Sequence, residues 1–445
     1  MSDERPPAPS LERRLGLRAA IALVVGEVIG VGIFLTPAGM VRGLGSPFWT
    51  LLVWLLVGAT AFCGALSFGE WAARFPEAGG GYVYLREAWG PGVAFLYGWK
   101  SLLVLDPGLT AALGSGLARY AGYLVPLRGS TGTLLAIGVV LLLALLNVLG
   151  VGIGSGVLSM LTALKLALLA LIIVWGFASG AGHWSHFLPF VARRPGSPPL
   201  VAALCGGLVA AFFSFGGFWD VAKLGGEVRN PTHTLPLALG FGVALVTLVY
   251  VLTSGVFVYL IPIDAVMSTD AFAARVGEIL LGSAGGQILS VVVIVAVLGS
   301  LAALLLASPR VYYAMARDGA FLRSVGKIHP RFGTPARAIC VQAVAASLLL
   351  LLGTFDQIVA YFIFVTVVFV ALIVAGLFRL PRPDPAAYRV PGYPWTPLAF
   401  VASLLGILII LGAGAPREAF LGTLVVCLGI PVYYLLVRPR PKTGP

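Results

Sequence analysis

The 445-residue chain is poor in charged residues, and this scarcity excludes most classes of soluble protein. Only 10% of its residues are Asp, Glu, Lys or Arg, whereas about 25% is usual in soluble domains. Its four cysteines and four histidines are too few and too scattered to indicate a disulfide framework or a metal site. It also lacks a Walker-type phosphate-binding loop and a Ser-His-Asp arrangement. We therefore expect no enzyme, no ATP-driven pump, no cofactor and no metal.

Apolar residues, by contrast, are abundant and fall in long runs. Hydrophobic residues make up 59% of the chain, and the mean hydropathy is +1.00. A helix needs about 20 apolar residues to cross the hydrocarbon core of a bilayer. The pattern predicts an all-α, multi-pass membrane protein with about 12 spans, at residues 19–40, 47–73, 90–125, 131–149, 156–178, 200–223, 234–261, 285–316, 336–354, 357–379, 396–414 and 419–437.

Basic residues decide the predicted orientation of these spans. The formal charge of +12 invites a nucleic-acid partner, but Lys and Arg lie mostly in the loops between apolar runs. With the N-terminus inside, 18 of the 29 fall in inner segments and 7 in outer segments, as the positive-inside rule requires. We predict a protein of the plasma or inner cell membrane, with both termini in the cytoplasm. Its expected surroundings are the lipid bilayer, and no nucleic acid is expected to bind.

Two of the predicted spans are interrupted by closely spaced glycines. The first break is at Gly30 and Gly32, and the second, in the sixth span, is at Gly216 and Gly217. Backbone that leaves the helix at membrane depth is tolerated only where it lines a cavity or is buried in protein. Glycine also allows close helix packing, so one pair alone would be weak evidence. Interrupted spans in corresponding places of two halves indicate a transporter binding site.

Several longer motifs are more specific than the glycines. They are GEVIGVGIF at 26–34, EAGGGYVYLREAWGP at 77–91, GGEVRNP at 225–231, SPRVYYAMARDG at 308–319 and YRVPGYP at 388–394. In sequence and in order they resemble segments of the amino acid permeases of the amino acid–polyamine–organocation superfamily. The resemblance implies a LeuT-like fold, in which spans 1–5 and 6–10 form two inverted repeats and spans 1 and 6 are broken.

Applied to this chain, that arrangement divides the sequence into distinct segments. They are a cytoplasmic N-terminal segment 1–18, a transport core 19–379 with repeats at about 19–178 and 200–379, peripheral helices 396–437 and a cytoplasmic tail 438–445. The sequence shows no large polar domain between the spans. Any function is therefore expected to lie within the helix bundle.

The two breaks together predict a receptor for the zwitterion of an α-amino acid. The start of the second half of span 1 would offer N–H groups to a carboxylate, and the end of the first half of span 6 would offer carbonyl groups to an ammonium. The resemblance supplies their facing arrangement. Phe215 and Phe218, with Trp219, are candidate walls or gates, and simple packing is the alternative. The predicted substrate-binding residues are Ile29, Gly30, Val31, Gly32, Ile33, Phe215, Gly216, Gly217 and Phe218.

Lys165 is the most informative of the ionisable residues within the predicted spans. It lies roughly nine residues, or about 12–14 Å, from the start of its helix. A charge at that depth costs about 2.5–3.5 kcal/mol to insert and indicates function. The resemblance implies that its ammonium replaces a sodium ion and bridges span 1 to span 8, where Ser300 is the expected hydroxyl partner. Release of its proton would couple transport to protons, and a fixed structural charge is the alternative.

Two carboxyl groups extend the candidate site. Glu27 lies one helical turn before the first break, where the family usually has an uncharged residue. It would pair with Lys165, hold a proton or contact a cationic substrate, or be protonated and hydrogen-bonded to a neighbour. Asp106, in span 3, would recognise a cationic group, or else cap a helix kink or pair with a lysine. Lys223 is a better partner for it than Lys100, which is six residues away and off the same helix face.

These features predict a secondary transporter, a permease or exchanger that moves amino acids by alternating access without sodium. The alternative is a proton-coupled transporter or antiporter of basic amino acids or polyamines, which Glu27 and Asp106 favour. A transport-inactive amino acid sensor is a third interpretation. The expected partner is a small-molecule substrate, an amino acid or a polyamine, and no obligatory protein partner is expected. Charged residues after span 6, among them Glu227, are candidates for an inner gate.

Overall fold

A computed structural model describes residues 11–30, 32–127, 130–266, 272–352, 355–382 and 387–437. Within these ranges the chain is built from helices, and no β-strand occurs. Nine of the described helical segments are long and apolar enough to cross a membrane. They are Pro47–Arg74, Pro91–Leu124, Thr131–Val148, Val151–Ala178, Leu200–Lys223, Pro231–Leu260, Gly285–Arg317, Trp395–Gly414 and Pro416–Leu435. The prediction of an all-α membrane protein is confirmed at this level.

The helices follow the apolar runs, and proline marks many of their starts. The α-helices in chain order are α1 Leu17–Val28, α2 Gly32–Leu44, α3 Pro47–Arg74, α4 Gly81–Trp89, α5 Pro91–Lys100, α6 Asp106–Leu124, α7 Thr131–Val148, α8 Val151–Ala178, α9 Leu200–Phe215, α10 Pro231–Leu260, α11 Ile263–Val266, α12 Phe272–Leu281, α13 Gly285–Ala307, α14 Pro309–Arg317, α15 Ala336–Leu352, α16 Phe355–Gly376, α17 Trp395–Gly414 and α18 Pro416–Val432. Helices α3, α5, α10, α14 and α18 each begin at a proline, because its fixed φ and missing N–H suit the first turn.

Helix α13 lies at the centre of the bundle. It packs against α1, α6 and α8, and 72% of the most apolar stretch of Gly285–Arg317 is buried. For α17 and α18 the corresponding share is only 22%. A helix that is apolar all round and exposed on most of its surface is stable only in contact with lipid. These two helices therefore lie at the periphery of the bundle.

The first apolar run is broken where the sequence predicts it. Helix α1 ends at Val28, and the Gly30 N–H bonds back to the carbonyl of Val28 at 2.8 Å, which closes a tight turn. Helix α2 then starts at Gly32. A Cβ added at Gly32 would lie 3.0 Å from Ser214 Oγ, so a larger side chain would push the two interrupted helices apart. Val31, a predicted substrate-binding residue, lies outside the described residues.

The second break differs in shape from the first. Helix α9 ends at Phe215, and Gly217 adopts a left-handed conformation with φ +99°. Such a φ is strained for any residue with a Cβ, which explains glycine here. Beyond it the chain forms a 3₁₀ turn, Phe218–Lys223, and not the α-helix that the apolar run predicts. This turn packs closely against the backbone of residues 77–80, where the Gly79 N–H donates to the carbonyl of Lys223 at 2.9 Å.

A candidate substrate site between the interrupted helices

A cavity of about 460 Å³ lies beside both interruptions. Gly30 and Gly32 line it on one side, and Gly216 and Gly217 line it on the other. The volume suits a small molecule, since ligand sites commonly measure about 300–1,000 Å³. The first turn of a helix has N–H groups without partners in the helix, and the last turn has carbonyls without partners. The cavity therefore brings the start of α2 and the end of α9 to one place.

Of the three aromatic residues predicted to form the pocket wall, Trp219 lines the cavity, but Phe215 and Phe218 do not. Phe215 and Phe218 are buried behind the wall, at 1% and 0% exposure, and are absent from the described residues that line it. Phe218 packs against Phe68 and Phe400, at centroid distances of 6.0 and 6.4 Å. Of the alternatives given for Phe215 and Phe218, their positions here correspond to packing. Phe218 follows the left-handed Gly217 and packs into the protein, whereas Trp219 lies on the cavity side.

Two isoleucines of the predicted site are also buried away from the cavity. Ile29 and Ile33 are both 0% exposed, and neither is among the described lining residues. Ile29 contributes its backbone, because its carbonyl accepts a hydrogen bond from Lys165 Nζ at 2.5 Å. Side chains on that face of the broken helix pack into the core, and only the opposite face meets the cavity.

Lys165 binds the backbone of the first break on the side away from the cavity. Its fully buried ammonium donates to the carbonyls of Gly26 at 2.9 Å, Ile29 at 2.5 Å and Ala296 at 3.1 Å. An ammonium has three donors, and these bonds use all of them. Helix α8 begins at Val151 and not near 156, so Lys165 lies deeper than the sequence predicts. The ammonium thus ties the break to helix α13.

Ser300 supports the same break but does not contact Lys165 among the described hydrogen bonds. Its hydroxyl donates to the carbonyl of Gly26 at 2.9 Å, beside the Lys165 ammonium. A Cβ added at Gly30 would lie 3.0 Å from Ser300 Oγ, which shows how closely α13 approaches the turn. The carbonyls freed at the end of α1 are therefore satisfied by two different side chains.

Glu27 faces the cavity, on the side of α1 that does not meet Lys165. It lines the cavity and lies against Gly217, where an added Cβ would be 2.5 Å from Glu27 Cγ. Its buried Oε2 atom has no hydrogen-bond partner among the described residues. Of the sequence alternatives, an ion pair with Lys165 is not found in the described contacts. The position leaves a proton or a cationic ligand as partner for this carboxyl group.

Asp106 belongs to a buried cluster of charged residues at the base of the cavity, together with Asp220 and Lys223. Lys223 Nζ is 2.8 Å from Asp220 Oδ2 and 3.6 Å from Asp106 Oδ1, and it also donates to Ser308 Oγ at 3.2 Å. Tyr312 Oη donates to Asp106 Oδ2 at 2.9 Å. The structure thus selects Lys223 as the partner of Asp106.

A π-helical turn replaces the simple kink expected next to Asp106. Residues Ser101–Leu105 form this turn between α5 and α6, and Pro107, which cannot donate a backbone hydrogen bond, follows directly. Lys100, at the start of the turn, is fully buried and donates to Thr366 Oγ1 at 3.2 Å. Its ammonium lies 5.0 Å from the ring centroid of Tyr97, and among the described residues it forms no ion pair.

The sequence gives no sign that Tyr250 belongs to the site. Its buried hydroxyl lies 2.8 Å from the carbonyl of Val28 and 2.9 Å from the carbonyl of Ser214, so it can donate to the last turn of either interrupted helix. Its ring packs against Trp54 and Phe215, at centroid distances of 5.0 and 5.2 Å. Tyr250 on α10 therefore holds the two broken ends in a fixed relation to each other.

We expect Tyr250→Phe to weaken substrate binding about tenfold, because the carbonyls of Val28 and Ser214 lose the one hydroxyl donor they share, at a cost of about 1–3 kcal/mol. Isothermal titration of the purified variant would measure this change. Tyr259→Phe, on the same helix, is the matched control, since its ring packs against Phe177 and Trp184 away from the breaks. Equal affinities of the two variants would contradict the part assigned to Tyr250.

The cavity is closed at one end by ion pairs and hydrogen bonds. Arg310 Nε lies 2.6 Å from Glu227 Oε1, and both side chains are fully enclosed, at 0% and 1% exposure. The Gly79 N–H donates to the carbonyl of Lys223 at 2.9 Å, and the Leu15 N–H donates to the carbonyl of Glu227 at 2.9 Å. The sequence names Glu227 as a gate candidate but not its partner, which lies 83 positions away.

Arg86 adds a more exposed connection at this closed end. Its guanidinium is 2.7 Å from Asp318 Oδ2, and Tyr82 Oη donates to the same oxygen at 3.1 Å. Partial burial opposes the charge, but the hydrogen bonds to Asp318 and Glu87 dominate and raise the pKa of Arg86. This cation therefore stays charged at every physiological pH. The opposite end differs, because the cavity extends along α6 as far as the exposed Arg119.

Comparison with known proteins defines the class of this chain. Residues 15–436 match the family model described as amino acid permease, so the chain belongs to that family. It is 30% identical to the serine/threonine exchanger SteT of Bacillus subtilis over 433 residues, which cover 95% of this chain and 97% of SteT. It is 28% identical to the human cystine/glutamate transporter over 458 residues, which cover 99% and 90% of the two chains. The rabbit (Oryctolagus cuniculus) b(0,+)-type amino acid transporter 1 is 30% identical over 383 residues, covering 84% and 77%.

The family membership confirms two predictions made from the sequence. The resemblance to amino acid permeases is correct, and the chain is an integral membrane protein of a transporter family and not an enzyme. The relatives named above transport amino acids, which agrees with an amino acid as the ligand class of the family.

Proposed function

We propose that this protein is a secondary transporter that moves amino acids across the membrane by alternating access. The observation that carries this proposal is the meeting of two interrupted helices at one cavity. The start of α2 offers N–H groups for the carboxylate of the substrate, and the end of α9 offers carbonyls for its ammonium. Gly30, Gly32, Gly216 and Gly217 form these surfaces, and at Gly30, Gly32 and Gly217 an added Cβ would lie 3.0, 3.0 and 2.5 Å from a side chain of another helix.

The proposed architecture is the LeuT-like one that the family resemblance implies. Two inverted five-helix repeats, at about 19–178 and 200–379, each begin with an interrupted helix, and 396–437 form peripheral helices. Helices α17 and α18 at the edge of the bundle support this division. We assign residues 1–18 and 438–445 to the cytoplasm of a plasma or inner membrane protein, from the distribution of basic residues.

The cytoplasmic placement of the N-terminus also indicates to which side of the membrane the cavity opens. The N-terminal Leu15 bonds to Glu227 at the closed end, so that end faces the cytoplasm, and the cavity is accessible from the outside. Transport to the inside then requires the Glu227–Arg310 pair to separate. Similarity to one serine/threonine exchanger favours exchange of one amino acid for another across the membrane.

Lys165 makes sodium unnecessary in this proposal. A bound cation would have to satisfy the carbonyls of Gly26, Ile29 and Ala296, and the Lys165 ammonium already does so. We therefore expect uptake into proteoliposomes to be unchanged when choline replaces sodium on both sides. Serine and threonine are the first substrates to test, with liposomes that lack protein as the background. Strict dependence on sodium would refute the assignment of Lys165 as the resident cation.

The acidic residues of the cavity favour a second candidate, a carrier of basic amino acids or polyamines. Glu27, Asp106 and Asp220 all line the cavity, together with Lys100 and Lys223. Coupling to protons belongs to this candidate, with Glu27 as the proton-binding group. A pH-indicator dye inside proteoliposomes would show proton movement during uptake of a basic amino acid.

A further inference from the structure

We propose that Asp106 and Asp220 form a subsite for the side-chain ammonium of an amino acid, and that Lys223 occupies this subsite as an internal substitute. The inference rests on the proposed transport function and names the substrate class. It identifies amino acids with a side-chain amine, such as lysine or ornithine, as the ligands that use the whole cavity. A substrate ammonium and the Lys223 ammonium then compete for the same two carboxylates.

The contacts of Lys223 define what the subsite binds. Its ammonium donates to Asp220 Oδ2 at 2.8 Å and to Ser308 Oγ at 3.2 Å, and it lies 3.6 Å from Asp106 Oδ1, close enough for an ion pair but too far for a hydrogen bond. A primary ammonium on a substrate side chain has the same charge, size and number of donors. The oxygen atoms that hold Lys223 are therefore chemically suited to such a group.

The carboxylates retain acceptor capacity that Lys223 does not use. Asp106 Oδ1, Asp220 Oδ1 and Glu27 Oε2 are buried and have no hydrogen-bond partner among the described residues. Buried carboxylate oxygens almost always have a partner, so three in one cavity require an explanation. All three residues line the cavity that holds the predicted zwitterion site. A ligand ammonium would supply the missing donors.

The charges around the cavity lead to the same conclusion. Glu27, Asp106 and Asp220 contribute three carboxyl groups, whereas Lys100 and Lys223 contribute two ammonium groups. Tyr97 and Tyr312 next to them are phenols and add no charge near neutral pH. Lys165 lies behind the first break, bonded to carbonyls, and Arg119 is exposed at the far end. Carboxyl groups therefore outnumber ammonium groups at the cavity surface, which favours a ligand that carries a second cationic group.

Displacement of Lys223 would also affect the backbone contacts at the closed end of the cavity. The backbone carbonyl of Lys223 accepts a hydrogen bond from Gly79 at 2.9 Å, and Glu227 of the Arg310 ion pair follows four residues later. When a ligand ammonium takes the carboxylates, the Lys223 side chain loses its anchors within the bundle. The 3₁₀ turn that carries Lys223 is then less constrained at the point where the cytoplasmic end must open.

The test compares the affinities of full-length variants in lipid nanodiscs for lysine and for serine. Removing the competitor in Lys223→Met is expected to raise the affinity ratio of lysine to serine about tenfold, and Asp106→Asn is expected to lower it about tenfold. Lys100→Met is the matched control, because it removes the same charge from the same cavity but leaves the carboxylates paired with Lys223. We expect its ratio to change less than about threefold.

Two results would overturn the subsite. An unchanged ratio in Lys223→Met would show that Lys223 does not compete with the ligand, and equal changes in Lys223→Met and Lys100→Met would show a general charge effect. If Lys223→Met does not fold, Asp106→Asn decides whether the subsite exists, because asparagine has nearly the same shape as aspartate. Its affinity ratio of lysine to serine should then fall. Failure of the transport proposal looks different, because the unaltered protein in proteoliposomes would then take up neither serine nor lysine.

Discussion

Gly217→Val is expected to abolish amino acid binding while the protein still inserts into the membrane. Gly217 has φ +99°, a conformation that a β-branched residue does not adopt without strain. A Cβ there would also lie 2.5 Å from Glu27 Cγ, well inside contact distance. The variant must shift either the turn or helix α1, and each shift changes the distance between the two broken ends. Isothermal titration with the best substrate measures the loss.

Two companion variants make this result specific. Gly32→Val should also abolish binding, since its Cβ would lie 3.0 Å from Ser214 Oγ across the breaks. Gly206→Val is the matched control, because a Cβ at that position on α9 meets nothing within 4 Å. It should bind like the unaltered protein. Unchanged substrate affinity in both Gly217→Val and Gly32→Val would rule out the breaks as the binding site.

Lys165→Met should lose both substrate binding and thermal stability. The carbonyls of Gly26, Ile29 and Ala296 lose their shared donor, and only that of Gly26 keeps a short hydrogen bond from Ser300. A buried carbonyl left without a donor costs about 1–3 kcal/mol, out of the roughly 5–15 kcal/mol that stabilises a typical protein. Because these carbonyls belong to the first break, its shape changes along with the stability. Thermal unfolding in detergent and a binding assay measure the two effects.

Lys100→Met is the matched control for this variant. Lys100 is also fully buried, yet its ammonium donates to Thr366 Oγ1 and to no backbone carbonyl among the described contacts. A hydroxyl can turn to another partner, whereas a carbonyl fixed at a helix break cannot. The melting temperature of Lys165→Met should therefore fall further than that of Lys100→Met. Binding by Lys165→Met at the affinity of the unaltered protein would contradict the structural part given to this residue.

The helix breaks were predictable from the sequence because they depend on backbone and glycine. Gly30 and Gly216 stand out in apolar runs where an uninterrupted helix would be expected, and the structure breaks the helices there. Lys165 was predictable for a similar reason, since a charge in the middle of an apolar span has few explanations. Its bond partners were predicted in part. The ammonium does reach both α1 and α13, but Ser300 bonds to the same carbonyl and not to the ammonium.

The directions of side chains at the second break were not predictable. Phe218 and Trp219 are adjacent aromatic residues after a left-handed glycine, and the sequence does not indicate which of them reaches the cavity. Tyr250 bonds to backbone carbonyls. Because every residue has such a carbonyl, residue types do not indicate which ones Tyr250 bonds to. Asp220 could have been found, because it stands three residues before Lys223 in the same run and an ion pair at that spacing is common.

The central claim is that the two broken ends bind the carboxylate and the ammonium of one amino acid. Titration of the purified protein with its best substrate and with two blocked analogues, the methyl ester and the N-acetyl derivative, tests it most directly. We predict that the free amino acid binds and that blocking either group removes binding, because each break loses its partner. Binding of either blocked analogue with the affinity of the free amino acid would contradict the account.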